Sequence, residues 1–554
     1  MILLTRPKLI FVLLLVFGVC GCEQNSVPDA FRSPSATMDT SRQQDLKQGL
    51  SFLNRLDEFD QFEVQQKILY HLSQWMKRQS ADPNWSPDAL VLDSGMVAPG
   101  DLVPLQLNPY DMQVLQEATW LRDVSRTVVE LNTPSPDIQR LIDASVERVG
   151  ESTGGDLAHA IQLFDWTVRN LMLDHDFEVG ETLRQQPIVL EAWECLLLGR
   201  GTAMEKSRVF MLLARQLGLP AVLLGVEDES AVKPWLTAVL LGDQLFLFDM
   251  ILGMPVLDET GAVTTLEQVL EKPEILVEMA SQAGVDVAFT AEQIGAGDPN
   301  SVVAVIDATP GYLSQRMQLL EKQLMGDEKM VLSVAPASIA GRLIDSGQIN
   351  SVGIWGLPYE GFMIRSEIQQ QPPLLRWLTA EHGIYDGSTP FPLRRARLLH
   401  LRGQFDKTDD AFGARQLYLE CRPSNANIEQ IGEQLVQQVE TSEATPAQIE
   451  EYRGRIEAIF ERIKLNASFW LGTIAFERAE YESASRYFQT RVLESASENR
   501  WTSTAKYNLG RCWEAIAIRD DNLDAKNRAI EIYRSVVDSP WTPICTLRAS
   551  RLEQ

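Results

Sequence analysis

Nucleophiles and metal ligands are scarce in this chain, which has six cysteines and five histidines. No two of them stand in a CxxC or Cys/His spacing, so the sequence proposes no zinc site, and no metal or cofactor is expected. Cys195 lies within 188–198, a mostly apolar stretch. A thiol there packs as a small hydrophobe and is unreactive; the alternative is an unusual nucleophile. Cys421, Cys512 and Cys545 are far apart and read as buried free thiols, with a Cys512–Cys545 bridge between neighbouring helices as the alternative. His175 stands between Asp174 and Asp176, three residue types that bind metals. Consecutive side chains do not converge unless a turn gathers them, so a solvated loop is expected. No histidine occurs between His175 and His382, so no imidazole base is at hand in that interval. Gly295-Ala296-Gly297 lacks the following Lys and the preceding strand of a phosphate-binding loop.

The elements that could position a site are clearest in residues 199–249. They run GRGTAMEKSRVFMLLARQLGLPAVLLGV, then a short acidic loop, then KPWLTAVLLGDQLFLFD. Val209, Phe210, Leu212, Leu213 and Leu217 recur at helical spacing, which predicts an amphipathic helix. Gly218 can take the positive φ that ends it. Pro220 feeds 221–226, an apolar run read as a buried strand. Two more strands are predicted at 236–241 and 245–248, joined by a hairpin turn at Gly242-Asp243.

A glycine turn, a core helix ending in Leu-Gly-Leu-Pro and then antiparallel strands resemble the transglutaminase-like, papain-type superfamily. HAIQLFDWTVRNLM, beginning at His159, is similar to the helix that precedes the nucleophile in that family. The resemblance covers about 138–258 and implies a Cys at the start of the helix, a His on the next strand and an Asp on the one after. A helix N-terminus lowers a thiol pKa, the His carries the proton and the carboxylate orients the His. Those positions fall here on Ala203, Lys233 and Asp249; the His position is placed two residues before Trp235. Two of the three are substituted, so no catalytic residue is expected, and Lys233 with Asp249 is expected to form an ion pair. An enzyme would need Thr202 as nucleophile and a neutral Lys233 as base.

Lys and Arg total 50 against 76 Asp and Glu, a net charge of −26. That disfavours nucleic acid and anionic membrane surfaces as partners, because neither is attracted at long range. Residues 1–22 read as an export signal: Arg6 and Lys8 precede an apolar run too short to span a bilayer. Val19-Cys20-Gly21-Cys22 resembles the lipobox of bacterial lipoproteins, which implies cleavage before Cys22 and lipid attachment to its thiol. The expected location is the bacterial cell envelope, anchored by the N-terminal lipid on an extracytoplasmic face. An ordinary secretory signal cut nearby is the alternative, and it also exports the chain.

The α+β organisation expected is a polar tether at 23–41, a helical region at 42–137 and a transglutaminase-like core at 138–258. An α/β extension follows at 259–389, then tetratricopeptide-like helices at 390–554. The core should pack helices on an antiparallel sheet. In the extension, helices are predicted at 266–283 (broken at Pro273) and 313–325, strands at 301–306 and 330–334, and a turn-rich segment at 354–361. Near the end, Leu471-Gly472 with Ala484 and Phe488 resembles a tetratricopeptide unit. Leu509-Gly510, Trp513, Ala529, Tyr533 and Pro540 repeat it with a polar insertion at 519–527, and Gly403, Ala414 and Tyr418 mark a degenerate copy. Such stacked pairs imply protein or peptide binding. The expected function is therefore interaction, with an unidentified protein partner. An active transamidase or peptidase and a purely structural envelope scaffold are the alternatives.

Overall fold

The computed structural model describes residues 34–174, 189–228, 231–294, 302–349, 351–359, 361, 382–385, 391–409, 411–439, 445–494 and 499–554. Cys22 and His175 lie outside them. The described residues begin with α1 (Pro34–Leu53) and α2 (Gln61–Met76), which open the region expected to be helical. Asp60 caps α2 by accepting from Glu63 N at 3.0 Å. Part of the stretch read as a tether is thus in the first turns of α1. Three long helices follow: α3 (Pro109–Arg126), α4 (Pro136–Val149) and α5 (Glu151–Asn170).

Next come α6 (Ala192–Leu198), α7 (Ala203–Gln216) and the strands β1 (Ala221–Asp228), β2 (Ala231–Leu241), β3 (Gln244–Asp249) and β4 (Met254–Pro255). These are the helix and three strands that the sequence pattern predicts. After α8 (Leu266–Glu271) and α9 (Glu274–Ala283), broken at Pro273 as expected, come β5 (Val302–Ile306) and β6 (Ser351–Ile354). The sheet order is β4-β3-β2-β1-β5-β6. The core strands β1 to β4 pair antiparallel as expected, and β5 from the extension joins β1 antiparallel, but β6 runs parallel to β5, Val303 opposite Ser351 and Ile306 opposite Ile354. The sheet is therefore mixed. The run at 330–334 is not a strand, although Met330 and Leu332 are buried. The helix expected over 313–325 is shorter, Gln315–Glu321, because Ser314 starts it by accepting from Met317 N at 3.4 Å.

Each face of the sheet has its own core. Ala221, Leu223, Val239, Phe246 and Phe248 turn toward α5 and α7, in a large cluster with Phe164 and Phe210. Val222, Leu224, Leu236, Ala238 and Leu247 turn the other way, toward α8 and α9. This is period-2 alternation with both faces covered, interrupted on β2 at Trp235-Leu236.

The remainder is helical: α10 (Leu393–Leu401), α11 (Ala414–Glu420), α12 (Asn425–Val439), α13 (Pro446–Glu477) and α14 (Tyr481–Arg486), which continues as a π-helix over Tyr487–Leu493. Then come α15 (Thr502–Asp520), α16 (Leu523–Arg534) and α17 (Thr542–Glu553). Gly472 sits where a Cβ would lie 2.9 Å from the Phe488 ring, and at Gly510 a Cβ would lie 2.4 Å from the Tyr533 ring. Those contacts explain the paired glycine and aromatic positions. Gly403 differs: it ends α10 at φ +69° instead of lying inside a helix. The insertion expected at 519–527 is taken up by the end of α15 and the start of α16, which Asn522 caps. Cys195, Cys421, Cys512 and Cys545 are all buried free thiols, so Cys512 and Cys545 are not bridged.

These helices do not stand apart from the sheet and its helices. Arg511 on α15, fully buried, donates to Asp165 of α5 at 2.8 Å and to Asp137 of α4 at 3.0 Å. Arg548 of α17 reaches the same Asp137 at 3.2 Å and Glu514 at 2.9 Å. Burial alone would raise the Asp137 carboxyl, but Arg511 and Arg548 hold it well below the usual carboxylate range. Removing one partner of such a network leaves the other charges buried and unpaired. Arg511→Ala should therefore cost on the order of 3–5 kcal/mol in a urea unfolding experiment at pH 7. A carboxyl depressed in the folded state contributes stability above its ordinary pKa and loses it on acidification. The gap between wild type and variant should thus begin to narrow below about pH 4.

Candidate functional site

Helix α7 opens on the position that the family resemblance would assign to a nucleophile. Thr202 Oγ1 accepts from Glu205 N at 3.3 Å, and the Glu205 carboxylate accepts from Thr202 N at 2.7 Å, a capping box that fixes the first turn. The residue this turn presents is Ala203, whose methyl packs on the large core. Cys195 lies close by: a Cβ added at Gly201 would sit 3.4 Å from its sulfur. Burial pushes that thiol well above its ordinary value, and Glu205 and Glu194 add to the effect, so no thiolate forms there.

The C-terminal helices close over this end of α7. A Cβ on Gly199 would lie 2.3 Å from the Trp470 ring of α13, so only glycine, at φ +67°, fits the contact. Lys206, one turn into α7, is fully buried, its Nζ 3.5 Å from Val168 O and 4.9 Å from the Trp541 ring. Burial lowers its ammonium to about 7, with Asp174 acting in the opposite sense.

Lys233 and Asp249 are on the other side of the sheet. Between β1 and β2 the register slips by one: Leu223 faces Thr237, whereas Gly225 faces Pro234. The extra residue on β2 sends both Trp235 and Leu236 into the core beside α8 and α9. Lys233 then pairs with Val226, a residue of that same core, and is exposed. Asp249 follows Phe248, which faces α7, and so points away from α7. It lines a cavity of about 80 Å³ with Trp235, Leu252, Met279 and Phe289. The expected Lys233–Asp249 ion pair is not formed: Asp249 accepts from the backbone N–H groups of Ile251 and Leu252, each at 2.8 Å. Ala203, Lys233 and Asp249 are thus not brought together. Facing α7 instead are the register partners Thr237 and Phe248, followed along the same face by Val239 and Phe246.

Sequence reasoning missed the ionic cluster beside α7. Arg208 is buried between Glu191 at 2.7 Å and Asp307 at 2.9 Å, while Arg215 reaches Asp307 at 3.5 Å. Tyr312 donates to Glu117 at 3.2 Å, and burial raises the Glu117 carboxyl to about 7 against the pull of Arg208. The available signal was the seven-residue spacing of Arg208 and Arg215, which places both on one helix face. Among the described residues, no group of three or more His, Cys, Asp or Glu could hold a metal. His159 is half-buried on α5. No helix there is long and apolar enough to cross a membrane.

The charged cavities lie instead in the helical region. One of about 440 Å³ is lined by Arg415, Arg422, Arg486 and Arg491 with Ser483, Tyr487 and Thr490. A second, about 300 Å³, shares Arg422 and Arg491 and adds Arg462, Lys464 and Glu461. No family model, curated protein or solved structure matches the chain.

Asp249 provides a test of the cavity on the far face. Burial raises its carboxyl to about 6, opposed by the two backbone N–H groups. A carboxyl raised in the folded state destabilises once it ionises, so its cost appears as the pH rises through 6. Asp249→Asn keeps an acceptor for both N–H groups. It should stabilise the protein by on the order of 1–2 kcal/mol at pH 8 and by nothing at pH 4, read as unfolding midpoints. Equal differences at both pH values would contradict this.

Proposed function

We propose that the chain is an exported bacterial lipoprotein, held by lipid on Cys22, that works by binding and not by catalysis. In this reading a transglutaminase-like core has lost its chemistry and supports tetratricopeptide-like helices that present the binding surface. The observation that carries it is the partition by the sheet. The first residue of α7 is an alanine packed on one core, and Lys233 and Asp249 belong to the opposite face. Acyl transfer needs a nucleophile and a proton carrier in contact. A methyl group offers no nucleophile, and the nearest thiol, Cys195, is kept protonated by burial.

Support from the helical region comes from charge. In a chain of net charge −26, the two adjoining cavities gather five arginines and a lysine against one glutamate among the described residues. The purified chain should incorporate no labelled amine into a glutamine substrate, and fatty-acid labelling in cells should disappear in Cys22→Ala. Amine incorporation that Asp249→Ala abolishes would overturn the non-catalytic reading. Persistent labelling of Cys22→Ala would overturn the anchor.

A further inference from the structure

We propose that the paired arginine cavities form a binding site for a small compound carrying two or more linked phosphate groups. The proposal rests on the reading of the helical region as the binding part of the chain.

The first cavity is built from α11 and the loop after it on one side and the α14 segment on the other. From Tyr487 this segment is wound as a π-helix, a form found mostly as single turns at functional sites. Arg486 and Thr490, like Tyr487 and Arg491, are four apart, about one turn, so the winding presents all of them to the same space. Among the described residues, the cavity lining holds four guanidinium groups, three hydroxyls and no carboxylate.

Two cations of the first cavity have distant or uncharged partners among the described residues. Arg415 has Asp406 at 3.4 Å and Glu480 at 3.5 Å. Arg486 donates to Glu482 O and to Ser483 Oγ, each at 3.3 Å, and neither acceptor is charged. The Nε of Arg422 is buried without a partner among the described residues, and the guanidinium lies 6.0 Å from the Tyr487 ring centre. Burial and the neighbouring Arg491 both work against the charge on Arg422. An anion between them relieves that opposition.

Ligand chemistry follows from the donor set. A carboxylate has two acceptor oxygens in a plane, whereas a phosphate group offers three around a centre and carries close to two charges. Forked guanidinium donors and hydroxyls converging from two helical walls suit the second geometry. Arg422 and Arg491 line both cavities, so two linked phosphate groups can occupy one each while sharing these cations. Size is set by the rest of the protein. The net charge of −26 repels a long polyanion along its length, but beyond about 8 Å that repulsion is screened for a small ion seated in the groove.

Titration calorimetry of the full chain in detergent, with pyrophosphate as probe, tests the site. Saturable binding is expected, weakened at least tenfold by Arg422→Gln and by Arg486→Gln and left unchanged by Lys272→Gln, an exposed cation elsewhere. Should Arg422→Gln fail to fold, Arg486→Gln, whose side-chain hydrogen bonds among the described residues stay within its own helix, decides alone. Absence of saturable binding, citrate bound as tightly as pyrophosphate, or equal weakening by Lys272→Gln would each overturn the proposal. Transamidase activity would break the non-catalytic reading and leave the pyrophosphate result standing. Failure of pyrophosphate to bind an inactive protein breaks only the ligand assignment.

Discussion

The arrangement depends on one guanidinium group. Arg511 is buried among Asp137, Asp165, Ser135 and Tyr507, with Arg548 sharing Asp137 from a second helix. Taking these charges out of water is expensive, and they persist only because each finds its counter-charge and hydrogen bonds at the same place. The contact therefore fixes how α15 and α17 sit on α4 and α5. With those helices fixed, Trp501 joins Trp470 against Gly199 and Trp541 lies over Lys206. The end of α7 that would open a catalytic site is thereby packed under aromatic rings.

The sheet completes the separation. A β-sheet divides its side chains strictly between two faces, and a single extra residue exchanges the faces for everything beyond it. On β2 the extra residue falls at Trp235-Leu236, and Gly225 makes room for it: a Cβ there would lie 2.9 Å from Lys233 O. What results is one core against α5 and α7 and a second against α8 and α9, with Ala203 packed on the first and Asp249 lining a cavity at the second. The charged cavities of the helical region lie outside both cores.

Much of this was legible in the sequence where local rules act. The period of 3.6 from Val209 to Leu217, the glycine stop at Gly218 and the apolar strands reported α7, β1, β2 and β3 correctly, because propensity, patterning and turn chemistry agree there. The Gly472–Phe488 and Gly510–Tyr533 contacts were likewise visible as spacing. Alternation alone even places Asp249 opposite Phe248. Lys233 was not legible: counting by twos from Thr237 puts it on the α7 face, and nothing in KPWLT announces the bulge. Long-range pairings were hidden for the same reason. The parallel partner of β5 is 48 residues downstream by register, Val303 pairing with Ser351, and buried Arg208 or Arg511 look like surface cations until their carboxylates arrive from distant parts of the chain.

The central claim is that the positions to which the proposed transglutaminase-like reading would assign catalysis are divided by the sheet, so placing a thiol and an imidazole there should create no activity. The most direct measurement is amine incorporation by the full chain carrying Ala203→Cys and Lys233→His together, with unchanged circular dichroism as the control for folding. The account predicts activity no higher than that of the wild type, because the thiol and the imidazole would stand on opposite faces. Turnover by the double variant that is lost on adding Asp249→Ala would contradict it.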